Sequence, residues 1–482
     1  MQMQSQLLHH KTIRISMMKI KYNSIVLLGL ATLTLSGCKS LYGKYERPDI
    51  KTSGIIRDAM SDSDTLAVSD TTSFANVPWR SVFTDSHLQS LIEMGLAHNT
   101  NLLNAALNVQ MAEAQLKAAK LSFLPSLAFS PQGTLSSWNG GKANQIYSLP
   151  ISASWSADLF GNLLSSKRSA QVALLQTKDY QVSVQTNLIA NIANMYYSLL
   201  MLDKQLEIVN DMEGLTKNTW DIMKLQKDAV VGVRSTGVQR AESSYYSVLT
   251  QKADLKRQIR ETENSLSLLL GQQVQSITRG KIDEQSLPEN FSTGVGVQLL
   301  NNRADVHSAE MKLAQCFYDV ETARSRFYPA LNISASGAFT NNSGMGIINP
   351  GKLLLTAVGS LTQPIFQNGK LVAGLKVAQA QYQQAYNTWQ NSVLTAGSEV
   401  SNALVLYNSS AEKSIIEAKQ VEILKQNVED TKALMASAGS TYLEVITAQS
   451  SLLNVELSKV ADDFYKMQAV VNLYYALGGC AK

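Results

Sequence analysis

Charge is scarce in this chain, and reactive side chains are scarcer. Charged residues make up 17% of its 482 residues, against about 25% in an average soluble protein. The formal net charge of +4 does not describe a basic surface. Lys11, Arg14, Lys19 and Lys21 all precede Cys38, where the sequence reads as a cleavage point, leaving 38 of the 42 basic residues against 38 acidic ones. A neutral mature chain argues against a nucleic-acid partner, since releasing counterions from phosphates needs clustered Lys and Arg. Five His and three Cys are scattered along the chain, which leaves little for a metal centre or a thiol enzyme. His87, His98 and His307 have no metal-ligand spacing and read as polar or capping residues, and the methionines form no soft-metal cluster. No nucleophile–base pair is found. The sequence therefore predicts no enzyme, no cofactor and no metal. Cys316 and Cys480 are compatible with a disulfide in an oxidising compartment, or with a buried thiol and a free terminal one; the unpaired reading is preferred.

Apolar runs are short as well. Residues 25–35, IVLLGLATLTL, have the length of a signal-peptide core and fall short of a bilayer span. Lys19 and Lys21 supply the positive flank, and Leu35-Ser36-Gly37-Cys38 closes the run as a bacterial lipobox does. A start at Met18 gives a 20-residue signal. The expectation is an exported chain with Cys38 as its lipidated first residue, since several acyl chains anchor stably where one does not.

Proline is sparse and unevenly placed. The nine prolines leave 151–287 and 365–482 empty, and proline-free stretches are where long helices can run. In the second, apolar or small residues recur at 371, 375, 378, 382, 385, 389, 393, 396, 400, 403 and 407, a heptad seam with one stutter. Leu443, Ile446, Ser450, Leu453, Leu457, Val460, Phe464, Met467, Val471 and Tyr474 alternate in steps of three and four. A helix over 369–436 would be about 100 Å long, so these read as coiled coil.

Elsewhere the period is two. Tyr147, Leu149, Ile151, Ala153 and Trp155 alternate with Ser148, Pro150, Ser152, Ser154 and Ser156. Leu331, Ile333, Ala335, Gly337 and Phe339 alternate with Asn332, Ser334, Ser336 and Ala338. Residues 123–135 and 353–362 follow the pattern less strictly. Strands with one apolar and one small polar face suit a membrane β-barrel, and equally a half-buried soluble sheet; the lipid anchor favours the barrel. Pro150 inside a strand suits an edge or a rim. Trp138 with Asn139-Gly140-Gly141, and Asn341-Asn342-Ser343-Gly344, read as strand-connecting turns.

The chain also repeats itself once, at an offset of about 205 residues. Phe123-Leu124-Pro125 matches Phe327-Tyr328-Pro329, Gly232 and Ala241 match Gly439 and Ala448, and Leu270-Gly271 matches Leu477-Gly478. The predicted organisation is a signal peptide (1–37), a lipidated N-terminal strap (38–90), and two copies of helix, strand, strand, long helix, helix (91–288 and 289–482). The fold class is mainly α with a small β part. Four strands per chain cannot close a barrel, for which about eight is the minimum, so strands that span a membrane require several chains.

With these features in place, the chain resembles the TolC-like outer membrane factors of tripartite efflux systems, in their lipidated NodT-type branch. The resemblance rests on Tyr45-Glu46-Arg47-Pro48, Trp79-Arg80-Ser81-Val82-Phe83, Ala157-Asp158-Leu159-Phe160-Gly161, Arg303-Ala304-Asp305-Val306, Leu361-Thr362-Gln363-Pro364-Ile365-Phe366 and Ala476-Leu477-Gly478-Gly479. It implies a homotrimer whose twelve strands form one outer membrane barrel, continued by an α-helical barrel into the periplasm. The implied partners are outer membrane lipid, a periplasmic adaptor (membrane fusion) protein and an inner-membrane pump, with no nucleic acid among them. The implied role is an exit duct of RND-type efflux for small molecules such as drugs; the alternatives are the channel of a type I protein secretion system and a pore-less lipid-anchored coiled-coil tether. The resemblance puts adaptor-docking tips at Val231, Gly232, Val233 and at Ala438, Gly439, Ser440. It puts a periplasmic gate at Tyr442, Leu443, Glu444 and Thr447, where many relatives carry a further acid in place of Thr447. Three copies of Glu444 around a narrow axis would favour cations. Glu444 also fits an ordinary acid at a helix start.

Overall fold

The computed structural model describes residues 43–50, 56, 74–137, 139–229, 235–288, 302–340, 353–436 and 441–479. The helices are α1 (Trp79–Val82), α2 (Ser86–His98), α3 (Thr100–Leu121), α4 (Asn162–Ala229), α5 (Ser235–Leu269), α6 (Ala304–Ser325), α7 (Lys370–Ala436) and α8 (Tyr442–Ala476). The strands are β1 (Ser126–Phe129), β2 (Gln132–Ser136), β3 (Asn144–Ala157), β4 (Ala330–Thr340) and β5 (Leu353–Thr362). The order helix, strands, long helix, helix occurs twice. α3, α4 and α5 have 22, 68 and 35 residues; α6, α7 and α8 have 22, 67 and 35.

The long helices start where the backbone turns sharply. Ahead of α4, Gly161 has φ +72°, and the Asp158 carboxylate accepts from the amides of Leu163 (3.1 Å) and Leu164 (2.8 Å), serving donors that a helix start leaves open. Ahead of α7, Asn368 and Gly369 take φ of +51° and +78°, the left-handed region open to glycine and tolerated by asparagine.

The chain forms two compact units, each drawing on both copies of the repeat. The first contains the sheet, in the order β1/β2–β3–β4–β5, all antiparallel. The predicted first strand is broken in two. β1 and β2 both pair with β3, and between them stands Pro131, which has no N–H to give a ladder. Pro150 is on no edge: it pairs with Ala338 inside the sheet. Its carbonyl accepts from the Ser130 amide (3.2 Å), so its missing donor faces the break beside Pro131; it costs the reciprocal bond to Ser130 and none with β4.

The second unit holds the main core. Trp79, Val82, Phe83, Leu88 and Ile92, from α1, α2 and the link between them, pack with Ile189, Ile192 and Tyr196 of α4, Leu266 of α5, and Leu473 and Tyr474 of α8. A second cluster joins Leu202, Val209 and Met212 of α4, Val248 and Leu255 of α5, Val428 of α7, and Leu452 and Leu453 of α8. The α7 seam is buried or half-buried at every predicted position, deepest at Trp389, Val393, Ala396, Val400 and Ala403. In α8 the seam departs from expectation near its start. Leu443 and Ser450 are exposed, while Val445, Ala448 and Leu452 are buried, because this helix faces α4 and α5 as well as α7 and so buries more than one stripe.

Candidate channel-forming elements

The sheet divides its side chains by face. Cross-strand register places Phe129, Ile151, Gly337 and Leu355 in one row, and Leu149, Phe339 and Leu353 in another. These large apolar groups are exposed, Leu355 by 75% and Phe129 by 63%. Contiguous exposed apolar surface of this kind marks an interaction with lipid or protein. The opposite face carries Ser126, Ser152, Ser154, Ser156, Asn332 and Ser334. Ser126 and Ser154 bond through their hydroxyls at 2.8 Å, and Ser156 donates to Asn332 Oδ1 at 2.5 Å. Among the described residues no helix is long and apolar enough to cross a membrane. Among the described residues the sheet keeps two unpaired edges, β1/β2 and β5, and an unpaired edge is a template for another chain.

Of the predicted gate residues, Leu443, Glu444 and Thr447 lie on an exposed side of the first turns of α8. Tyr442 is half-buried and turns to α5, where a side chain on Gly237 would come within 3.1 Å of its ring. Opposite the exposed side, Val445 is fully buried, and the buried Gln449 amide donates to Thr219 Oγ1 at 2.9 Å. The start of α8 is thus fastened to α4 and α5 while Leu443, Glu444 and Thr447 stay exposed. Thr447 gives its hydroxyl to the Leu443 carbonyl at 2.7 Å. Both predicted tips (Val231, Gly232, Val233; Ala438, Gly439, Ser440) lie outside the described residues, between the ends of α4 and α5 and of α7 and α8, as do Cys38 and Cys480. Cys316 is a buried free thiol.

Sequence reading missed two features. The strap is clamped within the first unit: Arg168 Nη1 donates to the Gly43 carbonyl (3.1 Å), the Tyr45 amide donates to the Tyr318 hydroxyl (3.3 Å), and Tyr45 meets Phe317 edge to face. Near the end of α4, Trp220 stacks on Tyr245, with the Lys224 ammonium 3.1 Å from the indole centroid; the Tyr245-Tyr246 pair was its only sequence signal. The buried Arg303 of the family-like segment binds Asp305 (2.6 Å) and Glu399 (2.5 Å) and donates to the Ala476 carbonyl (3.1 Å). It ties the start of α6 to α7 and to the end of α8. Burial alone would raise the Asp305 pKa, but the Arg303 guanidinium outweighs it and holds that carboxyl below its ordinary value.

A family model described as "Outer membrane efflux protein" matches residues 91–272 and 295–479. The cation efflux system protein CusC of Escherichia coli strain K12 is 26% identical over 460 residues, covering 93% of this chain and 97% of that protein. The probable outer membrane lipoprotein SilC of Salmonella typhimurium is 25% identical over 467 residues, covering 94% and 98%. In structure, the open state of the Neisseria gonorrhoeae MtrE outer membrane channel superposes with a TM-score of 0.80 at 23% identity, covering 91% of this chain and 98% of that one.

Proposed function

Because the chain belongs to the outer membrane efflux protein family, we propose that it is the exit duct of a tripartite efflux pump. The observation that carries this reading is the sheet, with one exposed apolar face, one hydroxyl-rich face and two open edges. Such a sheet meets lipid on one side and water on the other once copies of the chain close it into a barrel. The copies form a homotrimer, held at the outer membrane by acyl chains on Cys38; that SilC is named an outer membrane lipoprotein supports the anchor. The tips at Val231, Gly232, Val233 and at Ala438, Gly439, Ser440 dock a periplasmic adaptor, which joins the duct to an inner-membrane pump of the RND type.

Tyr442, Leu443, Glu444 and Thr447 form the gate. The exposure of the last three at the start of α8 supports a lumen-facing position. The duct performs no chemistry, and need not bind what it passes. CusC is named a component of cation efflux, which favours export of small solutes over protein secretion, with the cargo chosen by the pump.

Cross-linking in living cells tests the docking. Single cysteines replace Ser235 and Ser440 in a background lacking Cys316 and Cys480, and captured proteins are identified by mass spectrometry. A periplasmic adaptor together with a proton-driven pump is expected. An ATP-driven secretion partner would move the reading to protein export, and a lipidated, assembled chain that captures neither would remove the duct.

A further inference from the structure

α7 and α8 meet across a pair of carboxyls that α4 and α5 lack. Asp462 on α8 is 6% exposed, and its Oδ1 lies 3.5 Å from the Lys413 ammonium on α7. Its neighbour Asp463 accepts the Ser414 hydroxyl at 2.5 Å and the Lys459 ammonium at 2.6 Å. One turn along α7 from Lys413, Glu417 comes within hydrogen-bonding reach of Asp462, and its Oε2 is shut off from water with no donor. Three acids therefore face two ammonium groups. Lys425, two turns further along α7, is taken by Glu456 at 3.0 Å.

A hydrogen bond between two carboxyl groups needs a proton on one of them. Burial, followed by the charge and hydrogen bond of Asp462 and the charge of Asp463, pushes Glu417 above the ordinary carboxylate value; Lys413 pulls the other way. The first repeat supplies an internal contrast. α5 and α8 have equal length, and laid end to end they put Leu255 at the place of Asp462. Counting back from the ends of α4 and α7 puts Asn210 at the place of Glu417. Leu255 packs in an apolar cluster with Leu202 and Val248, and the nearest charged pair between α4 and α5, Glu213 with Lys252 at 2.5 Å, is of opposite sign, so no two carboxyls meet there.

We propose that Glu417 and Asp462 form a proton-operated latch between α7 and α8. With one proton shared, the two carboxyls hold the helices together. Without it, two carboxylates face each other across a mostly buried contact, and the pair loosens on this side only. The sign follows from the direction of the shift. A carboxyl whose pKa is raised by folding contributes stability that is complete below its ordinary value and is lost as pH rises through the raised one. The latch itself stands apart from the duct reading; only its consequence, easier movement of the α8 end that bears Leu443, Glu444 and Thr447, rests on it.

The test measures distances between spin labels in the assembled full-length protein, from pH 5 to pH 8, in a background lacking Cys316 and Cys480. One pair of labels replaces Lys419 and Ser458, across α7 and α8; the other replaces Asn210 and Lys256, across α4 and α5. The expected result is a distance between α7 and α8 that lengthens or broadens as pH rises, with the other pair unchanged. Glu417→Gln, whose amide supplies a permanent donor, should hold the short distance at every pH, and Asp462→Leu should also remove the pH dependence. A flat profile for the wild-type α7–α8 pair would overturn the latch, as would a Glu417→Gln profile that tracks the wild type. Neither readout requires transport, so failure of the latch and failure of the duct are separable.

Discussion

Gly271 and Gly478 end the two copies with the same device. Both follow a leucine at the end of a 35-residue helix, and both take a left-handed backbone, φ +69° and +86°. A Cβ on Gly478 would stand 2.6 Å from the Asn302 carbonyl oxygen, and one on Gly271 would strike the carbonyl of His98. These carbonyls precede α6 and α3, so each glycine lets the end of its copy lie against the backbone where that copy's 22-residue helix begins. Gly478→Ala should cost at least the roughly 1–2 kcal/mol of a left-handed side chain, and more for the collision. Gly214 provides the opposite case, since it sits exposed within α4 with open space around it; Gly214→Ala should add about 0.5–1 kcal/mol of helix stability. Thermal unfolding of the detergent-purified protein should therefore show a lower midpoint for Gly478→Ala and a raised one for Gly214→Ala. A neutral Gly478→Ala would mean that the close approach carries no weight.

Among the elements, the sheet makes the sharpest claim. Ile151 and Ser152 are neighbours on β3 that point to opposite faces. If the apolar face meets lipid, Ile151→Arg should cost about 2–4 kcal/mol at mid-bilayer depth and deplete assembled protein in the outer membrane fraction, while Ser152→Arg should be tolerated. Equal assembly of the two variants would make this a sheet with no lipid side. The alternation that made β3 and β4 legible is local, because each strand is read from its own residues. The break at Pro131 was not legible, since a proline interrupts a ladder only when the partner strand is known, and the same holds for Pro150. The helices were readable for a related reason: a seam such as 389–403 records the partner it packs against. The start of α8 was read less well because it packs against several helices at once. Asp462 lies off the predicted seam, and its pairing with Glu417 depends on the crossing of two helices 45 positions apart in sequence.

For the whole molecule, strand number limits the assembly. β1 and β2 act as one interrupted strand along β3, so the described residues contribute four strands with both edges open. Two chains would make an eight-stranded barrel, whose interior is about wide enough for its own side chains to fill. Three chains make twelve strands, the smallest closed number from this unit that leaves a passage through the hydroxyl-bearing face. Four would make sixteen, in the range of porins that hold an aqueous channel, so closure alone admits a tetramer beside the proposed trimer. Native mass spectrometry of the detergent-solubilised protein should find three copies and no free chain. In mixed expression of tagged and untagged chains, affinity purification should recover the assemblies that contain one or two tagged copies as well as three. A monomer with β1/β2 and β5 protected from hydrogen exchange would mean that the edges are covered within one chain, and the shared barrel would fall with it. A dimer would keep the barrel but close it to solutes, leaving the long helices as a tether and not a conduit.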